Sequence, residues 1–187
     1  MAELIFDYKP GTLITRRDLL KMAASLLARP GDPTPKIVDI GCAIGDMFGN
    51  KAVNVDIKSL DEMKAEAKPC HGDIEIPNYI QADAENLPFK DKEFDVAVLS
   101  EILEHIANPV AAICEARRVA RFVIICVPNE YLWSPDKNPF APYEQSGHIR
   151  RFTSAILHDT VMESGIEVLE YMDWQYLGWA YFIVIGR

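Results

Sequence analysis

Two groups of residues have the types and spacing that chemistry requires. Glu101, Glu104 and His105 stand at positions i, i+3 and i+4, which a helix would set on one face, and His148 follows in Gly147-His148-Ile149-Arg150-Arg151. Two carboxylates and two imidazoles suit a divalent metal with open positions for a chelating ligand. His105 or His148 equally suits a general base that needs no metal. The second group is a glycine turn, Gly41-Cys42-Ala43-Ile44-Gly45, which follows the apolar run Ile37-Val38-Asp39-Ile40 and precedes Asp56. In an open α/β sheet a ligand sits beyond the carboxyl ends of the strands. A carboxylate there, such as Asp56, can accept both hydroxyls of a ribose.

The turn is not a dinucleotide fingerprint. G-x-G-x-x-G started at Gly41 needs glycine at 43 and 46 and meets Ala43 and Asp46. Asp46 would set a carboxylate where a pyrophosphate must lie. Asp56 also follows too soon, since the acid of that motif stands about 20 residues on. A ligand with a ribose, an adenine and no phosphate fits better, and S-adenosylmethionine is such a ligand.

These residues need elements to hold them. Arg16–Ala28 carries Leu19, Leu20, Ala23, Leu26 and Leu27 at helical spacing, and Pro30-Gly31-Asp32-Pro33 stops it. Strand-like runs follow at 37–40, 52–56, 79–82, 94–99 and 122–127. Pro109–Val119 reads as a helix with proline in its first turn, and Ser154–Glu163 as a second, with Gly165 at its end. A Pro-rich loop, Trp133–Gly147, separates 122–127 from that second helix, and 166–172 with 179–185 closes the chain as a hairpin. Alternating strands and helices predict a Rossmann-like α/β fold. Its mostly parallel seven-stranded sheet carries helices on both faces and one antiparallel edge strand. The segment from Gly45 to Asp56 is too short for a full helix between the first two strands.

Val38-Asp39-Ile40-Gly41-Cys42-Ala43-Ile44-Gly45, Val55-Asp56-Ile57 and Gln81-Ala82-Asp83-Ala84-Glu85-Asn86-Leu87-Pro88-Phe89 resemble, in order, the motifs of class I S-adenosylmethionine-dependent methyltransferases. Phe94–His105 and Val127-Pro128-Asn129-Glu130 continue the likeness, which is greatest to the small-molecule, type 11-like subset. Residues 1–35 read as a short N-terminal helical cap from their spacing, and the resemblance, which runs from about Lys36, implies a methyltransferase domain over residues 36–187. It implies that Gly41, Ala43 and Gly45 let backbone N–H groups approach the methionine moiety and that Asp39 orients its amino group. Asp56 would bind the ribose, Ile57 would pack on the adenine, Asp83 would accept from the adenine amino group with Ala84 beside it, and Ser100 would line the floor. Glu101, Glu104, His105 and His148 resemble the ligands of metal-assisted O-methyltransferases. Relatives that use no metal carry a similar Leu-Glu-His that orients a loop. Ala43 replaces the usual second glycine, which is strained if its φ is positive.

The function expected is methyl transfer to a small molecule, by O-methylation; the alternative is a non-catalytic or partner-dependent S-adenosylmethionine-binding scaffold, as a homodimer or with a partner subunit. Lys+Arg number 19 and Asp+Glu 28, a net charge of −9, which disfavours nucleic acid as a partner. No apolar run reaches membrane-span length. Asp7, Lys9, Arg16 and Arg17 interrupt any signal-like apolar stretch. Cys42, Cys70, Cys114 and Cys126 form no C-x-x-C pair, so free thiols in a cytoplasmic protein are expected.

Overall fold

The computed structural model describes residues 15–27, 34–45, 47–129, 131, 147–176 and 179–187. The linker at 30–33, residues 133–146 of the Pro-rich loop and the joint of the closing hairpin lie outside them. The strands are β1 (Ile37–Ile40), β2 (Ala52–Asp56), β3 (Tyr79–Gln81), β4 (Phe94–Ser100), β5 (Ala120–Pro128), β6 (Val168–Tyr176) and β7 (Trp179–Gly186). They form one seven-stranded sheet in the order β3-β2-β1-β4-β5-β7-β6. The first five pair in parallel. β7 runs antiparallel between β5 and β6. The chain winds outward from β1 in one direction and from β4 in the other. The crevice between them, at the carboxyl ends, is the switch point where such sheets take ligands.

Alternation within β4 assigns the two faces. Ala97 and Leu99 pack with α3 (Pro109–Val119) and α4 (Ser154–Glu163), through Ile113, Ala116, Leu157 and Val161. Val96 and Val98 pack with α1 (Arg16–Leu26), through Leu19, Leu20, Ala23 and Ala24. Every residue of β4 is buried, as a central parallel strand covered on both faces must be. Thr15 caps α1 by accepting from the Asp18 N–H, and Thr153 caps α4 in the same way through Ile156. No described helix is long and apolar enough to cross a membrane.

The short connection after Gly45 holds one 3₁₀ turn, Gly49–Lys51. Met47 and Phe48 fill the face that a helix would cover, packing into the α1 cluster. Two asparagines tie the turn down. Asn54, fully buried in β2, donates to Gly49 O at 3.1 Å and Pro77 O at 2.6 Å. Asn78 donates to Asn50 O and Ala52 O, both at 3.2 Å. A helix that the sequence reading did not assign, α2 (Leu60–His71), crosses from β2 to β3. Its signal is Ser59-Leu60-Asp61-Glu62, a reciprocal capping box in the structure.

Candidate functional site

A cavity of about 530 Å³ opens at the carboxyl ends of β1, β2 and β4. Of the residues singled out from the sequence, Gly41, Ala43, Asp56, Ile57, Asp83, Ala84, Glu101 and His105 line it. Asp39, Gly45, Ser100, Glu104 and His148 do not: Asp39 is 2% exposed within β1, and Ser100 is buried at the end of β4 beside Cys126.

The glycine turn is built on β2. Gly41 N–H and Cys42 N–H both donate to Val55 O, at 2.8 and 3.0 Å. Gly41 has φ +73°, and a Cβ there would stand 2.3 Å from Ile102 Cδ1. Gly45 has φ +65°, and its Cβ would meet Ile76 Cγ2 at 2.4 Å. Ala43 adopts φ +48°, so the strain conditional on a positive φ is present. Asp56 holds this turn: Oδ2 accepts from Ala43 N–H at 3.3 Å, and Oδ1 from Lys58 N–H at 3.2 Å. Beside it Ile57, apolar yet 64% exposed, presents its side chain to the cavity. Lys58 and Glu66 pair at 2.5 Å on the same wall.

The Asp83 loop is pinned from α3. Asp83 Oδ1 accepts from Glu85 N–H at 2.9 Å. Glu115 accepts from Leu87 N–H at 2.8 Å, and Arg118 donates to Leu87 O and Phe89 O. The Arg118 hydrogen bond holds the Glu115 carboxyl below the usual carboxylate range, against a smaller opposing effect of burial. Burial, then Asp39 and Asp56, push the Cys42 thiol well up, so it stays protonated and is no nucleophile.

The helix expected across Glu101–His105 does not form. Glu101 has φ +54°, which ends β4 in a sharp turn closed by His105 N–H to Ile102 O at 2.9 Å. That turn separates the expected ligands. Glu101 pairs with Arg16 of α1, and Tyr181 of β7 also bonds its carboxylate. Glu104, 1% exposed, stays with His105 and His148, each offering one ligating atom within 4.8 Å of the others. The imidazoles of His105 and His148 meet edge to face at 4.7 Å. Segment 147–150 is clamped to the turn: His105 Nδ1 lies 3.1 Å from Gly147 O, Ile149 N–H donates to Glu104 O, and Arg150 donates to Ile106 O and Ala107 O. Arg150 thus braces the rim. His71 and His158 are exposed on α2 and α4, and the described cysteines are unpaired by disulfide. Arg16, Tyr181 and Lys58 at the site were not found from sequence; Arg16 and Tyr181 sit in no local motif, and only tertiary packing brings them to Glu101.

The sheet order, the single antiparallel strand and a site at the β1–β4 switch define a class I methyltransferase fold. A family model described as a methyltransferase domain matches residues 38–122. The matched region and the fold support a class I S-adenosylmethionine-dependent methyltransferase. It is 29% identical over 143 residues to a demethylmenaquinone methyltransferase of Beutenbergia cavernae, covering 74% of this chain and 57% of that protein. It is 34% identical over 107 residues to an uncharacterized 37.1 kDa protein in transposon TN4556 of Streptomyces fradiae, covering 54% of this chain and 30% of that protein. The chain therefore spans between about a third and somewhat over half of these relatives. Among solved structures, the [4+2]-cyclase SpnF superposes with a TM-score of 0.65 at 16% identity, covering 91% of this chain and 78% of that one.

Proposed function

We propose that this protein transfers a methyl group from S-adenosylmethionine to a hydroxyl of a small molecule. The observation that carries this reading is the pairing of Asp56 with exposed Ile57 on one cavity wall, with His105 lining the same cavity. A carboxylate suits a ribose diol and an exposed apolar side chain suits an adenine face, so the residues present fit the cofactor. Bound there, S-adenosylmethionine supplies an electrophilic methyl group on a sulfonium. The chain itself must orient the acceptor in line and take its proton, and positioning is the larger part. Gly147 O only accepts, so the facing Nδ1 of His105 carries the proton and Nε2 is left as the base. The demethylmenaquinone methyltransferase likeness supports a small-molecule acceptor.

A second reading is favoured by the grouping of Glu104, His105 and His148. A ligating histidine characteristically donates its other ring N–H to a carbonyl, as His105 does to Gly147. These three residues would hold a divalent metal, which would lower the pKa of a coordinated acceptor hydroxyl. Glu101, taken by Arg16, is not one of its ligands.

Thermal unfolding with and without S-adenosylmethionine tests the cofactor reading. At a hundredfold excess over Kd, binding to the native state adds about 2.7 kcal/mol, which raises Tm by about 5–10 °C in a chain of this size. An unchanged Tm at millimolar cofactor would favour a scaffold that has lost the ligand.

A further inference from the structure

We propose that the methyl acceptor is a phenol on an uncharged aromatic ring, held at the rim by Ile149 and Tyr131. This rests on the reading above and names its substrate class. His105 lines the cavity together with Ile102, Ile106 and Ala107. Ile102 and Ile106 pack on the main core, so the wall beside the base is apolar and fixed. Among the described residues, Lys58 is the one cation lining the cavity, and it is paired with Glu66. Asp56, Glu66, Asp83, Glu85 and Glu101 line it too, so its field is negative. The Arg150 guanidinium is spent on Ile106 O and Ala107 O, at 2.8 and 2.7 Å. An acceptor carrying a carboxylate or a phosphate would give up water there and meet no counter-ion.

Outside the cavity, Ile149 is tied to the turn that carries the base. Its own N–H donates to Glu104 O at 2.9 Å, and Gly147 O faces His105 Nδ1 at 3.1 Å. Its side chain nevertheless stays 60% exposed. Tyr131, 61% exposed, follows β5, whose carboxyl end lies beside that of β4 through Ser100 and Cys126. One exposed apolar side chain is ordinary. Two, from separate segments at the end of the sheet that holds the base, suit the faces of a flat ring. The acidity of the acceptor points the same way, since side chains must take its proton. A phenol, like tyrosine, loses it at a pKa of about 10. A saturated alcohol stays close to water, about 15.7. The phenol proton passes to Nε2 of His105 while the oxygen lone pair forms the bond to the methyl carbon. The carbon–sulfur bond breaks with its electron pair going to sulfur, and the imidazolium returns its proton to water. An aryl methyl ether and S-adenosylhomocysteine result.

Three probes on one carbon skeleton test this: 2-naphthol, its saturated counterpart decahydro-2-naphthol, and 6-hydroxy-2-naphthoate, which adds a carboxylate. Each is titrated calorimetrically into protein saturated with S-adenosylhomocysteine, as wild type, Ile149→Asp, Tyr131→Ser and Met162→Asp. Met162, 55% exposed in the last turn of α4, controls for an exposed apolar side chain away from the rim. Wild type should bind 2-naphthol at least tenfold more tightly than either other probe. Ile149→Asp and Tyr131→Ser should each weaken that binding at least fivefold, and Met162→Asp less than twofold. Methyl-labelled S-adenosylmethionine should then place its label on the oxygen of 2-naphthol. No binding of 2-naphthol, equal affinity for the saturated or the carboxylate probe, wild-type affinity in either rim variant, or binding without transfer overturns the proposal. A Tm unmoved by S-adenosylhomocysteine refutes the cofactor reading itself, and the acceptor assignment with it.

Discussion

The Asp56 carboxylate accepts the main-chain N–H of Ala43 across the glycine turn, at 3.3 Å. The residue it holds is in the left-handed region, where glycine is at ease and alanine is not. One carboxylate therefore both offers itself to the cavity and keeps a strained turn in shape.

That strain can be measured. Ala43→Gly should stabilise the protein by about 0.5–1 kcal/mol, the left-handed cost removed less the extra unfolded-chain entropy of glycine. A thermal melt should move upward by about 1–4 °C. A lower Tm would contradict the strained conformation.

The missing helix between β1 and β2 makes the asparagine ties structural. Asn54→Ala leaves Gly49 O and Pro77 O without their buried donor. The expected loss is about 2–3 kcal/mol, seen as a lower urea midpoint with an unchanged slope. A change within about 0.5 kcal/mol, the usual effect of a surface substitution, would show that the short connection is held by other contacts.

Much of the fold is legible in the sequence because β1, β2 and β5 are apolar runs that end at Gly41, Asp56 and Pro128, and β4 is a fully buried run. Helices α3 and α4 carry clear capping residues. The Gly41–Gly45 turn and Asp56 are legible for the same reason: a strand end fixes where they lie. Legibility fails at Glu101. Spacing i, i+3, i+4 implies a helix, but one left-handed residue bonded to Cys126 O turns the chain instead. Its partners Arg16 and Tyr181 come from distant elements through packing on the sheet, which no local pattern encodes. Helix α2 is not read from the sequence, because its weakly apolar face masks the one signal present, the Ser59–Glu62 capping box.

The Asp83 loop should loosen in acid. Arg118 holds the folded-state pKa of Glu115 below its ordinary value near 4.5. A depressed carboxylate stabilises the fold above its unfolded pKa, and the stabilisation is lost as pH falls through the lower folded value. Glu115→Gln should therefore have a lower Tm at pH about 6 and a shallower decline toward pH about 3 than wild type. Parallel Tm–pH curves would show that Glu115 adds nothing to the acid limb.

Metal binding at the rim has its own signature. Ligation by Glu104, His105 and His148 should let Mn²⁺ or Zn²⁺ bind the native state and raise Tm. His148→Ala should abolish the metal-induced rise in Tm, whereas Glu101→Gln should retain it. Undiminished methyl transfer after dialysis against EDTA would sink the metal reading and leave His105 as the base.

The central claim is that the cavity beside Asp56 and Ile57 is the cofactor site. Calorimetric titration of S-adenosylmethionine into wild type and Asp56→Ala, with melts confirming that both are folded, tests it most directly. Each charge-assisted hydrogen bond lost to the ribose costs about 1.5–3 kcal/mol, so affinity should fall at least about tenfold in the variant. Affinity equal to that of wild type would contradict the assignment of the site.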